Sequence, residues 1–163
     1  ATLEEELEAV DNYIYILNVR FAGDIHFSKK VECDVENVRV PSMILQPVVE
    51  NAVNHGIRNI DWEGHIDLSV EKWNDHIEIS VRDNGLGMTG EQIQRVLSKK
   101  VHSSSGEGDS TGIGMNNVIS RLELYYERDG LMEIYSEGEG MGTEVVINIP
   151  LERSEKNVQN PDC

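Results

Sequence analysis

Two segments constrain this chain more than any other: HIDLSVEKW (65–73) and HIEISVRD (76–83) alternate apolar and polar residues around the turn pair Asn74-Asp75. A period of two buries one face of a strand and leaves the other wet, so the pair reads as a β-hairpin whose inner face needs a cover. A helix is predicted from about Ser42 to His55, with Gly56 as its C-terminal stop. GIGMNNVISRLELYYE predicts a second, placing Met115, Val118, Ile119, Leu122, Tyr125 and Tyr126 at helical spacing as core. TGEQIQRVLSKK reads as a shorter helix, and KVHSSSGEGDST, between Lys99 and Thr111, as a mobile loop. Short β-like segments, IHFSKKVECD and VENVRV, come before the first of these helices, and two strands, LMEIYSEGE and GTEVVINIP, close the pattern. Strands paired mainly by hairpins, with helices covering one face, make an α+β two-layer sandwich.

Near the N-terminus, Leu3, Leu7, Val10, Ile14, Leu17 and Phe21 follow the four-three rhythm of a helix that packs on another helix. The seam is under three heptads long, so it suits either an amphipathic helix docked on its own domain or one that pairs with a second copy. The chain is therefore divided into a helical segment at 1–22, a globular domain at 23–151 and a polar tail at 152–163 with nothing to bury. No apolar run approaches the length of a bilayer span, and the acidic opening ATLEEELEAV is unlike a secretory leader. A cytoplasmic piece without direct membrane contact is expected, and a start at Ala1 suggests a fragment of a longer protein. Cys33, in an expected strand, and Cys163 form neither a disulfide framework nor a metal-ligand spacing, and are expected as free thiols.

Charge narrows the ligand. With 30 acidic and 14 basic residues the formal net charge is −16, which opposes nucleic-acid binding. It also repels free anions, so a phosphate-bearing ligand would need a cation and oriented backbone amides. On a helical wheel Leu45, Val48, Val49, Ala52 and Val53 fall on one arc, and Gln46, Glu50, Asn51 and Asn54 on an opposite arc of roughly 140°. Asparagine is a poor helix former, so two on one face call for a reason. Asn51 can offer a neutral oxygen to Mg²⁺, and Glu50 can orient or deprotonate an attacking group; the bland alternative is a solvated polar face. His55 reads equally as a residue that complements the helix C-terminus.

RDNGLGM, at 82–88, ends the second alternating strand. Gly85, Gly87 and Gly90 spell G-x-G-x-x-G, but the acidic residue that a dinucleotide fold needs about 20 residues on would fall inside the Ser/Gly loop. No glycine precedes a lysine, which excludes a P-loop, and the V-A-I-K strand of protein kinases is missing. What remains is Asp83, able to accept a hydrogen bond from an exocyclic amine, and Gly112 with Gly114, whose bare amides at a helix N-terminus suit a phosphate. Taken singly each is weak, and Asn84-Gly85 alone is as easily a turn.

In order, LQPVVENAVNHG, DNGLGM, STGIGMNNVISRLELYY and GTEVVINIP resemble the catalytic, ATP-binding domain of sensor histidine kinases. That family shares a superfamily with gyrase, heat-shock chaperones and mismatch-repair ATPases, and the chain is most similar to its LytS/YesM-like group over roughly residues 37–150. The resemblance implies a Bergerat-type sandwich, ATP and Mg²⁺ as cofactors, and phosphoryl transfer to a histidine on a dimerising helix for relay to a response regulator. It assigns Asn51 to Mg²⁺, Asp83 and Thr143 to adenine, and Gly85 and Gly87 to clearance for the base. Gly112, Ile113, Gly114 and Met115 would begin the phosphate helix beneath a lid at 99–111. Asn54, His55 and Met88 join the nucleotide-contacting set, and Glu50 is the candidate for assisting transfer. Gln46 stands where ATP-hydrolysing relatives keep a glutamate, which favours a transferase over a free-standing ATPase or a non-catalytic docking module. Where many relatives have lysine this chain has Asn54, so charge compensation falls to Mg²⁺ and to Lys99 or Lys100. None of His26, His55, His65, His76 or His102 sits in the setting of a phosphoacceptor, which is expected on a separate segment.

Overall fold

The computed structural model describes residues 1–20, 25–98 and 110–151, with the backbone alone for 110–113. In chain order the elements are α1 (Leu3–Arg20), β1 (Ile25–Val31), α2 (Gln46–Asn51), β2 (Gly64–Lys72), β3 (His76–Asp83), α3 (Gly90–Leu97), α4 (Ser110–Tyr126), β4 (Met132–Tyr135) and β5 (Thr143–Pro150). The five strands form one sheet in the order β1-β2-β3-β5-β4, with β1 parallel to β2 and every other pair antiparallel. The expected hairpin is β2–β3, closed where the Trp73 amide donates to the His76 carbonyl at 2.8 Å.

Alternation builds the core. Ile66, Leu68 and Val70 of β2, Ile77, Ile79 and Val81 of β3, and Val145, Ile147 and Ile149 of β5 are all buried in one cluster with the helices. Within it Met115, Val118, Ile119 and Leu122 supply the inner face of α4, as their spacing predicts. Tyr125 does not join them. It is 50% exposed, while Tyr126 packs at the margin and donates its hydroxyl to the Arg39 carbonyl at 3.4 Å.

The N-terminal seam packs on this same core: Leu3, Leu7, Val10, Ile14 and Leu17 are buried in it. A capping box starts α1, with the Glu5 amide on Thr2 Oγ1 at 3.2 Å and the Thr2 amide on Glu5 Oε1 at 3.0 Å. Phe21, Lys99, Lys100, His102 and the 152–163 tail lie outside the described residues, as does the expected lid up to its last two positions, which open α4. Among the described residues no helix is long and apolar enough to cross a membrane.

Three expectations are corrected. VENVRV is not a strand: Asp34 Oδ1 accepts the Glu36 amide at 3.1 Å, the chain turns at Glu36 and Asn37, and its one ladder contact is an isolated bridge between Thr2 and Arg39. Cys33, a free thiol, lies in a bend just after β1. The first helix is neither as early nor as regular as predicted. It begins at Gln46, with Pro47 in its first turn, and passes after Asn51 into a π turn over Ala52–Ile57. Gly56 is therefore not a stop but the fifth residue of that turn, which closes when the Arg58 amide reaches the Val53 carbonyl at 2.9 Å.

Candidate functional site

Asp83 continues the apolar phase of β3. It falls two positions after Val81, so the pleat turns its carboxylate inward, and it is 7% exposed. Cross-strand register sets Ile66 on one side of it and Thr143 on the other. Thr143 is itself buried and begins the inward phase of β5. An aspartate and a threonine thus occupy places that would otherwise hold core hydrophobes, at the end of two central strands.

The π turn closes over this pair. Because π bonding runs from i to i+5, residues five apart face the same way, and Asn51 and Gly56 both open on one cleft. A Cβ at Gly56 would stand 2.8 Å from the Asp83 carboxyl carbon, so only glycine lets the turn approach the carboxylate. The cleft has a volume of about 440 Å³, inside the usual range for small-molecule sites. Asn51, His55, Asp83, Gly87, Met88 and Thr143 all line it. The Asn51 Oδ1 atom is buried and has no hydrogen-bond partner among the described residues. An acceptor left in that state costs about 1–3 kcal/mol unless a ligand satisfies it.

The glycine loop is stitched from both sides. Leu86 donates its amide to the Gly56 carbonyl at 2.9 Å, and Gly140 donates to the Leu86 carbonyl at 2.7 Å. Side chains at Gly85 or Gly87 would collide with this chain's own backbone, at the carbonyl oxygens of Gly56 (1.8 Å) and Gly138 (2.1 Å) respectively. Glycine is thus required here by loop-on-loop packing, and Gly87 also lines the cleft. Asn84 ties the loop to the start of β2, accepting the His65 amide at 2.7 Å and donating to the Glu63 carbonyl at 2.9 Å.

Two expected side chains, those of Glu50 and Asn54, do not line the cleft. Glu50 accepts a hydrogen bond from Gln46 Nε2 at 2.9 Å and faces α1, where burial first and the Glu50 charge second push the Tyr13 hydroxyl up to about 12. Asn54 is exposed and accepts from Arg58 Nη1 at 3.2 Å. Gly112, Ile113 and Gly114 lie in the opening turns of α4, and Met115, 2% exposed, is core instead of lining. Sequence reasoning missed Arg95 and Gln92, by which α3 contributes to the lining of the cleft, and Glu139, which also lines it. α3 is set by a capping box at Thr89, whose Oγ1 accepts the Gln92 amide at 3.1 Å. That T-G-E-Q signature was readable; knowing which face of so short a helix meets the cleft requires the sheet beneath it.

A family model described as histidine kinase-, DNA gyrase B-, and HSP90-like ATPase matches residues 39–153. The chain belongs to this family. Among curated proteins, the sensor protein LytS of Staphylococcus saprophyticus is 28% identical over 163 residues, which are 99% of this chain and 27% of the relative. Sensor histidine kinase YpdA of Escherichia coli K12 is 31% identical over 159 residues, 93% of this chain and 25% of the relative. The chain thus spans about a quarter of the length of these relatives. Among solved structures, the catalytic domain of histidine kinase ThkA, in a nucleotide-free form, aligns with a TM-score of 0.63 at 19% identity, over 89% of this chain and 94% of that one. The mycobacterial sensor histidine kinase MprB aligns at 0.61 and 18% identity, over 92% and 95%. The fold is of the Bergerat type, a mixed open sheet with helices, as the resemblance implies.

Membership in the histidine kinase-like ATPase family implies ATP binding, and the donors that line the cleft can be weighed against Mg²⁺. A buried, neutral, unpartnered amide oxygen is the kind of hard ligand that Mg²⁺ takes alongside waters and substrate phosphates, so Asn51 fits the ion. Asp83 fits a base amine: burial pushes its carboxyl up to about 6, against the pull of backbone hydrogen bonds from Gly85 and Thr143. The Gly85 bond, to Oδ1, is 2.8 Å long.

With its folded value above the ordinary 3.8, the Asp83 carboxyl stabilises the fold most when neutral, and that contribution is lost as pH rises through about 6. An amine donor in the cleft favours the ionised form, so ATP binding should expel a proton at about pH 5.5 and almost none at about pH 8. Calorimetry in two buffers of different ionisation heat reads this directly; equal heats at the lower pH would refute it.

Proposed function

We propose that this chain is the ATP-binding catalytic domain of a two-component sensor histidine kinase. It would transfer the γ-phosphate of MgATP to a histidine on a dimerisation segment outside residues 1–163, for relay to an aspartate of a response regulator. The observation that carries the reading is the orphaned Asn51 Oδ1 in the same cleft as the buried Asp83–Thr143 pair. One group is suited to a metal and the other to a base, as a metal–nucleotide complex needs.

In this reading Asp83 accepts the exocyclic amine of adenine with Thr143 beside it, and Asn51 holds Mg²⁺. Once bound, Mg²⁺ supplies charge neutralisation of the phosphates, which a protein of net charge −16 cannot provide by its overall field. Arg95 on the cleft rim adds a fixed positive charge toward the phosphates, and the amides of Gly112 to Gly114 receive them at the start of α4. The acceptor's imidazole nitrogen forms the new N–P bond while the bond from the γ-phosphorus to the β–γ bridging oxygen breaks, and ADP leaves. Glu50, held by Gln46, accepts the hydrogen bond of the other ring N–H. Positioning and electrostatics carry the reaction. Gln46 is spent as a donor to Glu50 and cannot serve as a hydrolytic base, which supports transfer over hydrolysis. Residues 1–22 would be the end of the dimerisation helix or its linker, and the parent protein would be membrane-anchored with this part in the cytoplasm.

The test is incubation of the chain with Mg²⁺ and γ-labelled ATP. Saturable ATP binding is expected, with no label on the chain and no steady phosphate release, and label on the parent's histidine-bearing segment when that is added. Label on the chain itself, steady phosphate release, or undetectable binding would each overturn the proposal.

A further inference from the structure

Glu6 has no part in the nucleotide cleft, yet it is a charged residue that is 7% exposed, set among the buried seam of α1 between Leu3 and Val10. A carboxylate held there needs strong partners, and it has them in one place. Oε2 accepts the Met43 amide at 3.0 Å, and Oε1 accepts the amides of Ile44 at 2.9 Å and Leu45 at 3.1 Å. Those are the residues immediately before α2, whose own N-cap, Leu45, offers no side-chain acceptor. Glu6 therefore caps α2 from another helix. Met43 is held at a φ of 57°, a conformation that L residues rarely adopt, and its carbonyl accepts Arg121 Nη1 of α4 at 3.3 Å. The start of α2 is thus pinned by α1 and α4 together.

We propose that Glu6 is a positioning residue for the metal-binding end of α2: by fixing the Met43–Leu45 amides it sets where Asn51 presents its oxygen. This rests on the reading of Asn51 as the Mg²⁺ ligand. The helix is six residues long and runs straight on into the π turn, so the anchor at its start and the core packing of Val48 and Val49 set where it lies. Asn51 lies six positions after Leu45, about 9 Å along a helix axis, so a shift or tilt of the first turn is carried to it with nothing flexible between. The base site does not depend on this link, since Asp83 and Thr143 are placed by β3 and β5.

The experiment compares ATP affinity in Mg²⁺ with that in EDTA, by calorimetry on the whole chain, for the native protein, Glu6→Ala, Glu6→Gln and Asn51→Ala. Glu6→Ala should lower the Mg²⁺-dependent gain about tenfold, the usual order for losing a group that orients a metal ligand, while affinity in EDTA is unchanged. Glu6→Gln keeps an oxygen for Ile44 and Leu45 but turns an NH₂ toward the Met43 amide, and should show a smaller loss in the same direction; it carries the test if the alanine variant fails to fold. An unaltered gain, or an equal loss with and without the metal, overturns the proposal. Asn51→Ala separates the two levels. A full gain in that variant removes the Asn51 reading and the Glu6 proposal with it, whereas its loss alongside an intact gain in the Glu6 variants removes the Glu6 proposal alone.

Discussion

Asn51→Ala should bind ATP equally with and without Mg²⁺, and the proposed phosphoryl transfer to a histidine-bearing segment should fall by about 10²–10³-fold, the scale seen when one preorganised electrostatic group is removed from an active site. Asn51 Oδ1 is one of two buried side-chain oxygens without a partner among the described residues, Asn18 Oδ1 being the other, and it is the one whose residue lines the cleft. Truncation removes that ligand together with its desolvation cost. Alanine also has a higher helix propensity than asparagine, so the variant should be at least as resistant to heat as the parent. Loss of the metal effect without loss of Tm is the expected pair of results. Mg²⁺ dependence that survives the substitution would mean that the ion is held elsewhere, and the wheel argument for the polar face would then reduce to solvation.

The second large effect is at the base. Asp83→Asn should weaken ATP binding about tenfold to a hundredfold, since a hydrogen bond to a charged acceptor is worth about 1.5–3 kcal/mol. It should also narrow the preference for ATP over GTP, because guanine presents a carbonyl where adenine presents an amine, and the new amide can donate to it where the carboxylate only repels it. At neutral pH the substitution removes a buried charge whose carboxyl burial had pushed up to about 6, so stability should hold or rise. Proton release on binding should vanish together with the affinity. Unchanged calorimetric affinity for ATP would sink the adenine assignment.

How much of this was legible in the sequence differed between the sheet and what lies above it. Alternation across 65–83 predicted the β2–β3 hairpin, because a period of two is a property of adjacent residues. Taken one step further it also marks Asp83 and Thr143, polar residues on the buried phases of their strands, one the last residue of β3 and the other the first of β5. Asn51 was visible as a costly choice on a helix face. Gly56 was misread because a wheel drawn at 100° per residue cannot anticipate a π turn, and a glycine after a histidine looks like a helix end. VENVRV carries strand-like valines, but a side chain two residues away, Asp34, decided its local fold. Glu6 and Arg95 were out of reach for a different reason. Their importance lies in groups 37 or more positions away for Glu6, and in cleft-lining residues from other elements for Arg95. A lone acid in an apolar seam gives a hint of burial but no hint of its partners.

The π turn sets a limit on how this chain can vary in length. An i to i+5 turn is an α-helical turn with one residue added, so dropping any one residue from Ala52–Ile57 would let the helix close in ordinary register. The shortened helix would be the better formed one by itself. It would also rotate everything after Asn51 by about a quarter turn, withdrawing the Gly56 carbonyl from the Leu86 amide and the bare backbone from Asp83. The extra residue is therefore not slack left in a loop but a spacer, and at the exposed positions Asn54 and His55 substitutions are better tolerated than deletions.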